Sequence, residues 1–87
     1  MDDNRLTMLR QQVQDGQEAQ QAYTYLTPFM NDKREALVHE LSTTELSSIK
    51  LERAHVALRL LHDLEQSFKM RISAATLAEK ELREYEV

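Results

Sequence analysis

Between Leu6 and Leu26, apolar residues recur three and four apart. Leu6, Leu9 and Val13 are followed by a polar gap from Gln14 to Glu18, and then by Ala19, Ala22, Tyr23 and Leu26. This spacing marks one face of a helix. Asp2, Asp3 and Asn4 are cap-type residues, and the two carboxylates suit the positive end of a helix dipole. The pattern predicts a helix over about 3–26, weakened at Gly16, since Gly costs about 1 kcal/mol relative to Ala in a helix interior. Thr27-Pro28 comes next. Thr caps helix starts well, Pro is tolerated at the first helical position, and Pro disfavours helical geometry in the residue before it. A kink or restart is expected here, opening a second helix over about 28–41 with Phe29, Met30, Leu37, Val38 and Leu41 on its apolar side. Asp32 and Glu35, three apart, offer a later start at Asp32.

Ser42, followed three residues later by Glu45 and then by an apolar run, has the capping-box pattern. The third and longest helix is expected over about 43–85. Its stripe reads Leu46, Ile49, Arg53, Ala57, Leu61, Leu64, Phe68, Ile72, Ala75 and Leu82. From Ala57 to Ala75 the steps average about 3.6, the period of a nearly straight helix. Leu51, Ala54, Leu58, Leu60, Leu77 and Ala78 widen the stripe, most strongly over residues 54–64.

One Gly and one Pro in 87 residues leave little to break helices, and no segment alternates with period two. The fold class is all-α. A final helix of this length reaches about 65 Å, whereas a compact globule of this chain length is roughly 30 Å across. The expected architecture is therefore an extended antiparallel helical hairpin forming a single domain over residues 1–87. Two shorter N-terminal helices, kinked at Pro28, pack along one long C-terminal helix. A compact three-helix bundle is the alternative and requires the last helix to break near Ser73–Thr76. A two-layer hairpin leaves apolar stripe uncovered, which calls for a homo-oligomer or a larger protein assembly. The expected interface residues are Leu46, Ile49, Ala57, Leu61, Leu64, Phe68 and Ile72.

Composition strengthens that expectation. Apolar residues make up 41% of the chain, but the eight Ala among them add little volume and there is no Trp, so a monomeric core is thin and wants a staple or a partner. Zero Cys rules out disulfides, thiolate zinc sites and cysteine nucleophiles. No apolar run approaches a membrane span, and Met-Asp-Asp-Asn lacks the order of a signal peptide. A cytoplasmic protein is expected.

The net charge of −4 argues against a broadly basic nucleic-acid coat. Lys33, Arg34, Lys50 and Arg53 are the candidate phosphate contacts, each beside acidic neighbours, so nucleic acid is not the favoured partner. Glu52 and His55 have the Glu-x-x-His spacing of di-iron bundles, with His62 and Glu65 in reversed order. A second Glu-x-x-His is absent, so these two residues are at most a half-site for a metal, and no cofactor is expected. Tyr23 and Phe29 are expected to anchor helix packing. No phosphate-cradling glycine loop, G-x-S-x-G or nucleophile–base signature is present, and catalysis has no candidate residues.

Tyr25-Leu26-Thr27-Pro28-Phe29 forms an aromatic turn before a polar helix. It is followed by the Leu/Ala-rich run Lys50-Leu51-Glu52-Arg53-Ala54-His55-Val56-Ala57-Leu58-Arg59-Leu60-Leu61. This order of features, over about residues 23–80, resembles small helical accessory or virion proteins of tailed bacteriophages. The resemblance implies a structural component that works as an oligomer in an assembling particle, or a packaging factor similar to a small terminase subunit. This chain lacks an evident helix-turn-helix with a basic recognition helix.

Overall fold

A computed structural model describes residues 2–43 and 47–86. Two helices account for nearly all of them, α1 (Asp3–Thr43) and α2 (Ser48–Glu86). No strand occurs among the described residues. The molecule measures 61 × 21 × 15 Å with a radius of gyration of 18.7 Å. A compact chain of this length has a radius of gyration near 12 Å. The long dimension is that of one 41-residue helix at about 1.5 Å per residue. The expected all-helical, extended hairpin is what the structure shows.

The N-terminal ends of both helices are capped by side chains. The Asn4 amide donates to Asp2 Oδ1 at 3.1 Å, and the Lys50 amide to Ser47 Oγ at 3.4 Å. α2 thus starts at Ser48 rather than near residue 43. The Ser42–Glu45 capping box falls partly outside the described residues.

One expectation about helix continuity needs correction. Pro28 lies inside α1, which continues from Asp3 to Thr43, so the separate helices over 3–26 and 28–41 are one element. Proline removes one backbone donor and crowds the preceding turn. That local cost is outweighed because the flanking turns are held by α2, with Met30 buried and Tyr23 packed on Phe68. The Thr27 hydroxyl donates to the Tyr23 carbonyl oxygen one turn back. α2, as expected of one long helix, runs unbroken through Ser73–Thr76, where the three-helix alternative required a break. There the Thr76 hydroxyl bonds back to the Ile72 carbonyl at 3.1 Å, so it does not compete for a turn.

The seam between the helices has a seven-residue repeat. Leu9, Gly16, Tyr23, Met30 and Leu37 on α1, and Ala54, Leu61, Phe68, Ala75 and Leu82 on α2, are all buried or half-buried. A seven-residue spacing keeps one row of side chains facing a partner helix. Tyr23 meets Phe68 edge to face, ring centroids 5.9 Å apart. Gly16 stands against Ala75, seven positions earlier on α1 and seven later on α2. Arg5 pairs with Glu81 further towards the termini.

Candidate docking surface

The two flanks of the seam differ in chemistry. On one, Glu65 occupies a row with Leu58 and Ile72, seven positions away on either side. Its carboxylate is largely covered and accepts from three donors. The Tyr23 hydroxyl and the Arg34 guanidinium each approach at 2.8 Å, on Oε1 and Oε2 respectively, and Lys69 lies at 3.5 Å. The Tyr23 hydrogen bond, with Lys69 and Arg34 nearby, holds the Glu65 carboxyl below its ordinary value against the opposing effect of partial burial. The same hydrogen bond pushes the Tyr23 phenol up. Around Glu65 this flank is closed by a polar network.

The other flank is open and apolar in the half of the hairpin nearest the connection. Phe29, Lys33 and Leu37 of α1 face Ala57, Leu60, Leu61 and Leu64 of α2 across a groove of about 390 Å³. It continues along α2 past Val56 to Ile49, with Glu52 and Arg53 beside it. Phe29 is 56% exposed, Leu60 64%, Leu64 43% and Ile49 63%. Towards the termini the same flank ends in an ion pair. Arg71, seven positions after Leu64, reaches the Asp15 carboxylate through Nη2 and through Nε at 3.0 Å. The Arg71 hydrogen bonds lower the Asp15 pKa from its ordinary value.

Against this geometry the expected interface divides. Ile49, Ala57, Leu61 and Leu64 lie on the open flank, and Leu46 is outside the described residues. Phe68 is instead inside the hairpin, 8% exposed and packed on Tyr23. Ile72 lines a shallow hollow with Gly16, Gln20 and Ala75 on the Glu65 flank. A stripe on a helix wider than one row must turn its outer residues to different neighbours, so its members need not share a surface. Phe29 was expected to anchor helix packing; it lies on the surface, with the Lys33 ammonium 5.6 Å from its ring centroid. Leu37 and Val56 complete the groove, and the seven-residue spacing of Ile49 and Val56 was the available sign.

The basic candidates also divide. Arg34 is committed to Glu65 on the polar flank. Lys33, Lys50 and Arg53 rim the open groove, interleaved with Glu40 and Glu52. Glu52 and His55 are exposed, and among the described residues no three of His, Asp and Glu gather in metal-binding geometry. No helix among them is long and apolar enough to cross a membrane. Comparison with protein-family models, curated proteins and solved structures finds no match.

Proposed function

We propose that the protein is a non-enzymatic helical interaction module whose working surface is the open groove flanked by Phe29, Leu37, Leu60 and Leu64. One observation carries this reading: large apolar side chains lie exposed side by side on one flank, while across the seam the opposite flank is closed around Glu65 by hydrogen bonds and ion pairs. A contiguous apolar patch rimmed by charge is the signature of a docking site. The rigid rod, capped at its helix starts, holds that patch at a fixed distance from the paired termini, as a structural component of a larger assembly requires. The order of features shared with small helical phage proteins supports a role in a virion or in its assembly.

Size-exclusion chromatography with light scattering, applied to the tagged chain in an extract of its native cell, tests the proposal. The wild type should elute in a particle larger than a free hairpin, and Leu60→Glu with Leu64→Glu should release it. Elution of both as the free hairpin would sink the reading.

A second reading, nucleic-acid binding by an oligomer that collects Lys33, Lys50 and Arg53 from several copies, is favoured by those three cations sharing one rim. It requires DNA affinity that falls steeply between low and physiological salt. No shift at low salt ends it.

A further inference from the structure

The structure points, we infer, to a second copy of this chain as the occupant of the groove, seated through the same face on both partners; this rests on the docking reading above. The surface area is the first support. The chain exposes 6847 Å², against about 5300 Å² for a compact monomer of 10.2 kDa. The excess of about 1500 Å² exceeds the roughly 800 Å² that each partner contributes to a standard interface. A hairpin of two helices has one layer of core, and a second hairpin laid on its open flank supplies the second layer of a four-helix arrangement.

Charge is the second support. Charges on a face that binds its own copy must be of both signs, because that face meets itself again. The groove rim does so: Lys33, Lys50 and Arg53 alternate with Glu40 and Glu52. A surface shaped for a strongly acidic or strongly basic partner would carry one sign. The apolar floor is also self-complementary in size, with the Phe29 ring and the Leu60 and Leu64 side chains standing beside the smaller Ala57. The contact is confined to the half near the connection, because the Asp15–Arg71 pair ends the apolar flank and presents full charges.

The purified full chain provides the test, by sedimentation equilibrium from about 1 to 100 µM. The expected mass is close to twice 10.2 kDa at the upper end, falling to the single-chain value on dilution. Leu60→Glu with Leu64→Glu should remain single at every concentration while keeping wild-type helicity by circular dichroism. Leu77→Glu, an exposed site outside the groove, should associate as the wild type does. A wild type that stays single up to 100 µM overturns the second copy. A single chain when purified that still joins a larger particle in the extract overturns only this inference, whereas a free hairpin in both settings overturns the docking reading as well.

Discussion

The Gly16 backbone packs directly against the Ala75 methyl. A Cβ at Gly16 would overlap the Ala75 Cβ, and would stand 3.2 Å from the Arg71 carbonyl oxygen and 3.4 Å from the Ala75 Cα. Gly16 is helical and has no positive φ, so the position needs glycine for what it lacks in bulk. In an isolated helix Gly→Ala gains about 1 kcal/mol. Here Gly16→Ala should instead destabilise by about 1–3 kcal/mol, the usual cost of overpacking a tight contact. Urea unfolding followed by circular dichroism reads the sign directly.

Pro28 gives the opposite expectation. Its ring deprives the Thr24 carbonyl of an intrahelical donor, and α1 carries that loss in mid-helix. Pro28→Ala should stabilise the chain by about 1–3 kcal/mol, seen as a higher urea midpoint. A lower midpoint would mean that a backbone bend at this position is needed for packing against α2.

Phe68 and Phe29 separate core from surface. Phe68→Ala removes a buried ring and should cost about 3–5 kcal/mol, enough to unfold a small domain. Phe29→Ala should leave the melting temperature of dilute protein nearly unchanged. Its effect should appear at high concentration, where the apparent melting temperature of the wild type rises with association and that of Phe29→Ala rises less.

Acid should loosen the hairpin. The Asp15 and Glu65 carboxyls both have folded pKa values below their ordinary 3.8 and 4.5. Their contribution is therefore present above those ordinary values and is lost as pH falls through the depressed folded ones. Melting temperature should hold from pH 7 to about 5 and fall below about 4. Tyr23, whose pKa is raised above 10.0, contributes below that value, and its share is lost as pH rises through the folded one. Tyr23→Phe removes the largest influence on Glu65, so the acid transition should begin at a higher pH than in the wild type. An unchanged acid limb would contradict the assigned network.

Glu65 interrupts the apolar row of Leu58 and Ile72, and two of its three donors, Tyr23 and Arg34, stand on α1 and reach it only when α1 and α2 are in this register. Glu65→Leu should keep or raise thermal stability, because a well-packed apolar residue often replaces a buried ion pair without loss. It should also permit slipped pairings, visible as doubled NMR amide signals around Tyr23 and Phe68. A single sharp set of signals in that variant would show that the Gly16–Ala75 fit suffices to hold register.

Much of this was legible along the chain. Scarce Gly and Pro, three-and-four spacing and the length of the last stripe determined an all-helical, extended hairpin, because each is a local property summed over many residues. The same stripe named Ile49, Leu61 and Leu64 as surface candidates. What only the tertiary structure decided are the matters that depend on two helices at once. Pro28 reads locally as a boundary, yet contacts with α2 on both sides carry the helix through it. Gly16 reads as a weak point, yet Ala75 makes it the close contact. Phe68 turns inward and Leu64 outward although both lie on one stripe, because periodicity identifies a face while burial requires knowing which side chain stands opposite.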